Sequence, residues 1–310
     1  MTDIFFLLTP RYLALDFVGP AEALRMAIDE GAPFRLHVAG PEPECVSSLG
    51  LTSLIDPLPP ALADGSLVIL CGTVDEDADY ATPAAQRLID WLQQHITPQV
   101  SLATVCSGAL LAGMAGLLDG RACTTHHSIT AKLAALAPKA RVLDNRVFVE
   151  DGHIATSAGI TTGMDLALAL IERHAGADIA ARVARRMVLY SRRAGDDPQL
   201  SPWLAFRNHL HPAVHRAQDL IARDPAQRWP VEALAERVHL SPRHLTRLFR
   251  EQAGVGIVEY QQRLRVAVVR QLLHQGVAVE RAAEGAGFAS ARDMRRVWHK
   301  FETINPGQLA

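Results

Sequence analysis

The sequence predicts two folds in one chain: a three-layer α/β domain with a mostly parallel sheet, then an all-α domain holding two helix–turn–helix units. Three observations carry this. Short apolar runs bounded by Pro, Gly or Asp alternate with stretches of helical periodicity through the first 190 or so residues, as in a parallel sheet layered with helices. One helix–turn–helix pattern is written twice near the C-terminus. The charge changes sign along the chain: residues 1–202 hold 15 basic and 23 acidic side chains, and residues 203–310 hold 16 and 10.

The elements follow in order. Ile4–Thr9, Phe34–Ala39, Leu67–Cys71 and Val100–Val105 read as buried parallel strands. Pro20–Glu30, Pro83–His95 and Gly108–Leu118 lie between or after them with helical spacing. Arg146–Glu150 and His153–Thr156 flank Asp151-Gly152 as a hairpin, and Thr162–His174 and Asp178–Tyr190 read as further helices. Residues 1–190 form the first domain on this reading. Residues 191–211, rich in Pro, Gly and charge, form a linker and hinge, and residues 212–310 form the second domain.

Composition sets the frame. A length of 310 residues suggests two domains on a prior of about 150 each. No apolar run approaches the ~20 residues needed to cross a bilayer, so no membrane association is expected. Met1-Thr2-Asp3-Ile4-Phe5 lacks a basic n-region, which argues against a signal peptide. Cys45, Cys71, Cys106 and Cys123 show no CxxC spacing and read as reduced thiols of a cytoplasmic protein. No metal or cofactor is expected. His126 and His127 are adjacent, so their rings do not easily converge on one ion from a regular element.

The duplicated pattern is specific. Ala235 and Leu240 recur at Ala283 and Phe288, an offset of 48; Leu245, Arg247 and Phe249 recur at Met294, Arg296 and Trp298, an offset of 49. The second turn is therefore one residue longer. Leu245, Leu248 and Phe249 share one helical face, and Arg243, Arg247 and Arg250 share another. Met294, Val297, Trp298 and Phe301 form the second apolar stripe, opposite Arg292, Arg295, Arg296 and His299. Ser241-Pro242 is an N-cap followed by Pro at the first helical position, and Ser290 can cap the second helix. A lone arginine face usually just meets water. Two copies, each behind a short helix and a turn, point to a reader of successive major grooves of double-stranded DNA. Its candidate contacts are Arg243, His244, Thr246, Arg247, Arg250, Ser290, Arg292, Arg295, Arg296, His299 and Lys300. Asp293 is unusual there: it either repels phosphate or accepts from a cytosine amino group.

Three features converge where α/β sheets place their ligands, beyond the strand carboxyl ends. In Thr104-Val105-Cys106-Ser107-Gly108 a strand ends at Cys106 and Gly108 opens a helix, which resembles a nucleophile elbow with a helix N-terminus able to lower a thiol pKa. In Leu70-Cys71-Gly72-Thr73 the amides of Gly72 and Thr73 could join that of Ser107 in an anion nest, with Cys71 as packing. Asp16, between the first strand and first helix, faces Cys106 or caps the helix. His126 is either a fourth member or hydrogen-bonded structure. The candidate ligand-binding set is thus Asp16, Gly72, Thr73, Cys106, Ser107 and His126, and any catalysis would fall to Cys106, Asp16 and His126.

Residues 212–310 resemble the DNA-binding domain of AraC-family transcriptional regulators. The match runs through Leu234-Ala235, Ser241-Pro242-Arg243-His244-Leu245, Arg247-Leu248-Phe249, Tyr260, Arg265, Leu272-Leu273, Gly287-Phe288, Arg296 and Pro306. The family's connecting helix matches roughly 257–274. Ile257, Met294 and Thr303 stand where that family usually has Pro, Phe and Gly. Residues 1 to about 190 resemble the DJ-1/PfpI, or class I glutamine amidotransferase-like, group. The motifs are Asp16-x-x-Gly19-Pro20-x-Glu22, Cys106-Ser107-Gly108, Ala115-Gly116-Leu117-Leu118-Asp119-Gly120, Thr124-Thr125-His126, Thr156-Ser157-Ala158-Gly159 and Gly163-x-Asp165. His127 replaces a usual Trp, and Gly195-Asp196-Asp197-Pro198-Gln199 replaces a usual Gly-Gly-Gln.

The resemblance implies a flavodoxin-like sheet and a homodimeric regulator that senses a small, nitrogenous effector; an activator would also meet RNA polymerase. Two alternatives stand beside it. One, read from the two halves of the chain and not from the resemblance, is a redox- or electrophile-sensing regulator in which modification of Cys106 biases DNA binding. The other, implied by the resemblance, is an enzyme like the isonitrile hydratases, which use an Asp and a Cys at the positions of Asp16 and Cys106, with Thr where Ser107 stands. The order is ligand-responsive regulator, then thiol-reactive regulator, then active enzyme, because a free-standing hydratase does not need about a hundred residues of duplicated DNA reader; the chain is expected not to be an enzyme, with residual Cys106-dependent activity left open.

Overall fold

In the first unit the apolar runs become β1 (Thr2–Leu7), β2 (Phe34–Gly40), β3 (Glu44–Val46), β4 (Thr52–Leu54), β5 (Asp56–Pro57), β6 (Leu67–Leu70), β7 (Ser101–Val105), β8 (Ala122–Cys123), β9 (Arg141–Val142), β10 (Phe148–Asp151) and β11 (Ile154–Ser157). This computed structural model describes residues 1–189, 193–302 and 304–309; Tyr190, Ser191, Arg192, Thr303 and Ala310 lie outside the described residues. The main sheet has the order β10-β11-β7-β6-β1-β2-β5. Its neighbours are parallel except the β10–β11 hairpin around Asp151-Gly152. Helices cover both faces, so the layering is the flavodoxin-like one expected.

The β6 strand shows why its sequence is apolar throughout. Leu67 and Ile69 enter one core, with α1 (Ala14–Asp29), α6 (Thr162–Ala175) and α7 (Ala177–Arg186). Val68 and Leu70 enter the other, against α3 (Pro83–His95), α4 (Gly108–Met114) and α5 (Thr130–Leu136). Alternate side chains of a strand face opposite sides, so a strand covered twice needs no polar position. Each such side chain contributes about 1.5–3 kcal/mol on burial. A short α2 (Glu76–Asp79) follows β6, capped by Asp75.

Helix boundaries moved where local chemistry is ambiguous. The first helix starts at Ala14, six residues before Pro20, where the sequence places its start. Proline inside a helix normally leaves the carbonyl four residues earlier without a partner. Here that carbonyl belongs to Asp16, and the Cys71 thiol donates to it at 3.7 Å. The helix from Gly108 ends at Met114, with Gly116 and Gly120 in left-handed turns beyond it.

The second unit holds α8 (Pro202–Ala205), α9 (Pro212–Arg223), α10 (Val231–Arg237), α11 (Pro242–Ala253), α12 (Ile257–His274), α13 (Val279–Gly285) and α14 (Ala291–Trp298). It has two cores joined by α12. Ile257, Tyr260 and Leu264 belong to the first, with Leu245 and Phe249; Val266, Val269 and Leu273 belong to the second, with Met294 and Trp298.

Both helix–turn–helix turns are Schellman motifs. Leu240 N–H donates to Ala235 O at 2.9 Å and His239 N–H to Glu236 O at 3.1 Å; Phe288 N–H donates to Ala283 O at 3.0 Å and Gly287 N–H to Glu284 O at 2.9 Å. Ser241 and Ser290 accept from the third residue of their helices, His244 and Asp293. Ala289 is the extra residue of the longer second turn.

The chain divides between Gln199 and Leu200. Much of the stretch from 191 to 211 is held locally. Val147 N–H donates to Asp197 O at 3.0 Å, Gln199 Nε2 to Thr125 O at 2.8 Å, and Arg193 grips Asp165 at 2.6 Å. On the other side Gln218 Nε2 donates to Phe206 O at 2.7 Å, and Arg207 meets Asp219 at 2.7 Å. Among the described residues no helix is long and apolar enough to cross a membrane.

Candidate functional site

The carboxyl ends of β1, β6 and β7 bring three expected residues together. Cys106 leaves β7 with φ +55°, a left-handed conformation that costs an L-residue about 1–2 kcal/mol. Two bonds fix this turn: Cys106 N–H donates to Ser157 O at 3.1 Å, and Thr125 Oγ1 donates to Cys106 O at 2.8 Å. Two glycines make room for it. A Cβ on Gly159 would sit 2.1 Å from Cys106 Cβ, and one on Gly72 would sit 2.6 Å from Asp16 Oδ2 and 2.9 Å from Cys106 Cβ. Asp16, Gly72 and Cys106 are therefore in mutual contact.

Asp16 does not cap α1. It lies in the helix's first turn, fully buried, and its Oδ1 accepts Ile160 N–H at 2.6 Å. Ile160 is itself held at φ +52°. Asp16 Oδ2 lies against the Gly72 backbone, and the Cys106 thiol and Gly72 N–H both pull on the carboxylate without a hydrogen bond of good geometry. Burial raises the carboxyl to about 6, against the pull of the Ile160 N–H, the Cys106 thiol and the Gly72 N–H.

The thiol does not follow the expectation of a lowered pKa. Burial pushes Cys106 well above the ordinary thiol range, and the neighbouring Asp16 carboxylate adds to this. Cys106 is 6% exposed, and the helix behind it is only seven residues long. Desolvation and a like charge outweigh that helix's N-terminus.

The expected amide nest is partly occupied. Thr73 N–H donates to Ser107 Oγ at 2.9 Å, and Tyr80 OH lies 3.2 Å from the same oxygen. Thr73 Oγ1 donates to the Asp79 carboxylate. His126 Nδ1 meets Ser128 Oγ at 2.7 Å and its ring lies 4.3 Å from that of His127. Burial and His127 hold His126 below the ordinary imidazole range. Tyr80 and Ile160 were not expected here. Tyr80 follows a four-residue helix, too short to show periodicity, and Ile160 acts through its backbone. A cavity of about 170 Å³ is lined by Tyr80 together with Glu76, Met114, Lys132 and Leu136. Among the described residues no three His, Cys, Asp or Glu side chains are grouped to hold a metal.

In the second unit, Arg243, His244, Thr246, Arg247 and Arg250 are exposed on α11, and Arg292, Arg295, Arg296, His299 and Lys300 are exposed on or just after α14. Thr246 Oγ1 donates to Pro242 O at 2.8 Å. Ser290 Oγ caps α14 by accepting Asp293 N–H at 3.1 Å, and its exposed O–H is still able to donate. Arg247 meets Glu251 at 3.3 Å, Arg295 meets Glu280 at 3.6 Å, and Arg296 meets Asp293 at 2.6 Å. Arg265 is structural: it donates to the carbonyls of Pro225 at 2.7 Å and Ala226 at 2.9 Å, fastening the loop after α9.

The chain is similar to known proteins over both units. The DJ-1/PfpI family model matches residues 2–173, and a helix-turn-helix domain model matches residues 234–310. The HTH-type transcriptional regulator CdhR of Pseudomonas aeruginosa is 29% identical over 309 residues, covering 99% of this chain and 90% of that protein. An isonitrile hydratase of Pseudomonas putida is 31% identical over 193 residues, covering 57% of this chain and 74% of the enzyme. In fold, a crystal structure of an AraC family transcriptional regulator from Pseudomonas putida superposes with TM-score 0.53 at 23% identity, covering 60% of this chain and all of that one.

Proposed function

The chain belongs to the DJ-1/PfpI family and carries an AraC-type helix-turn-helix domain behind that fold, and from this premise we propose that it is a sequence-specific DNA-binding transcriptional regulator. The first domain, 1–190, senses a small nitrogenous effector and dimerises; the second, 212–310, reads DNA through α11 and α14. The observation that carries this is the pair of serine-capped helices, each on its own buried core, each exposing arginines opposite its apolar stripe. A single solvated helix needs no second copy. The likeness to CdhR along nearly the whole chain supports the same reading.

The effector docks at Asp16, Gly72 and Cys106, where the Asp16 carboxyl is the group that a ligand N–H would meet. Binding one dimer geometry better than the other shifts the placement of the DNA-reading domains. His126 takes no direct part in this reading.

Footprinting tests it. Arg247→Ala and Arg296→Ala each weaken operator binding by about 1–3 kcal/mol if they read bases. The two half-sites lie one helical turn apart, about 10–10.5 base pairs, and inserting half a turn between them abolishes binding. Unchanged footprints in both variants would remove α11 and α14 from the reading surface.

The hydratase-like alternative is favoured by one observation: Asp16 beside Cys106, with a carboxyl near 6 able to give and take a proton. Isonitrile turnover that vanishes in Cys106→Ser would raise it to first place. The raised thiol counts against both alternatives, because each needs Cys106 as nucleophile and a buried thiol held protonated is a poor one.

A further inference from the structure

The second recognition helix carries an acid at its reading end, and the first does not. Asp293 is the third residue of α14; its counterpart in α11, 49 residues earlier, is His244. The first turn of α11 holds no acidic residue, whereas that of α14 holds Asp293. The backbone at Asp293 is pinned by the Ser290 cap at 3.1 Å, and its Oδ1 holds the Arg296 guanidinium at 2.6 Å.

The matching arginine of the first helix is held from the opposite end. Arg247 meets Glu251, one turn nearer the helix C-terminus, at 3.3 Å. In helix–turn–helix docking the N-terminal residues of the recognition helix meet base edges. Glu251 therefore tethers Arg247 from behind, while Asp293 stands beside Arg296 where bases would lie.

An acid facing DNA lowers sequence-independent affinity, because it opposes phosphate and competes for the arginine. It also confines a planar fork. A guanidinium held in one orientation loses less freedom when it meets the O6 and N7 of guanine, and a carboxylate in the groove can accept from the N4 amino group of cytosine.

We propose that Asp293 and Arg296 act as one base-reading pair. They make α14 the discriminating helix of the domain. This rests on the regulator reading above.

The test uses the full chain. Selection from random duplexes defines the bound sequence. Affinities are then measured for that duplex, its single-base variants and an unrelated duplex at several salt concentrations. The wild type should prefer one G·C pair in the α14 half-site by about 5- to 150-fold. Asp293→Ala should flatten that preference, raise affinity for the unrelated duplex, and steepen its salt dependence by about one phosphate contact. Arg296→Ala should erase the preference at the same base pair, and the double variant should lose nothing more there. Asp293→Asn, which keeps size and removes charge, should behave as Asp293→Ala and guards against a folding artefact. Preference intact at every position in both Asp293 variants would overturn the pair. A wild-type chain that selects no sequence would instead overturn the regulator reading, and the pair with it.

Discussion

The two helix–turn–helix turns place different residues in one backbone conformation, and the difference has a measurable consequence. His239 and Gly287 both occupy the left-handed position of a Schellman motif, with φ +58° and +78°. Holding a non-glycine residue there costs about 1–2 kcal/mol. Replacing His239 by glycine relieves this but adds unfolded-chain entropy worth about 0.5–1 kcal/mol. The imidazole is exposed, so little packing is lost. His239→Gly should therefore stabilise the first turn by roughly 0.5 kcal/mol. Gly287→Ala should act oppositely and more strongly. Its new Cβ would lie 2.1 Å from Ala226 O and 2.6 Å from Ala226 Cα, backbone atoms of the loop that Arg265 fastens. Left-handed strain and a clash costing about 1–3 kcal/mol add, less the entropy gain, giving a loss of roughly 1–4 kcal/mol. Native-state hydrogen exchange reads each turn separately, at the Leu240 amide bonded to Ala235 O and the Phe288 amide bonded to Ala283 O. Protection should rise at Leu240 in His239→Gly and fall at Phe288 in Gly287→Ala. Lower protection at Leu240 in the first variant, or unchanged protection at Phe288 in the second, would refute the shared left-handed position as the determinant of these turns.

Two further outcomes concern the α/β domain. The Asp16 carboxyl stands at about 6 in the folded chain against an ordinary 3.8, so its burial destabilises the ionised form: the penalty is full above pH 6 and fades as pH falls toward 4. From pH 7 to pH 5 the wild type should thus gain about 1 kcal/mol relative to Asp16→Asn in denaturant unfolding, and an equal pH dependence of the two chains would sink this. Cys106, buried and held as the thiol, should react with iodoacetamide at neutral pH at least about tenfold more slowly than a cysteine in an unstructured peptide. Rapid labelling at Cys106, followed by mass spectrometry, would restore the thiol-reactive reading.

Elements whose signal is local were legible. β6 was visible because both faces are buried and no polar residue interrupts it, and α3 matched from Pro83 to His95 because Thr82 caps it and Pro83 sits at its first position. Short or compensated elements were not. Pro20 marked a false helix start, because the carbonyl it orphans is met by a cysteine from another strand. The hairpin of β3 and β4 is only three residues a side and carries no alternation long enough to see.

The site divides in the same way. A strand running into Cys106-Ser107-Gly108, the Asp16 motif and the doubled arginine helices are patterns along the chain, and residue type with spacing determined them. What no pattern contains is the charge state of a group, because that depends on what surrounds it. Packing buried Asp16 and Cys106 side by side, raising both, and set His126 Nδ1 against Ser128. Packing also let Ser107 take the Thr73 amide and set Asp293 against Arg296. Sequence order states which groups exist and on which element. Desolvation and pairing between distant elements arise only when the chain has folded, so the chemistry of those groups was decided there.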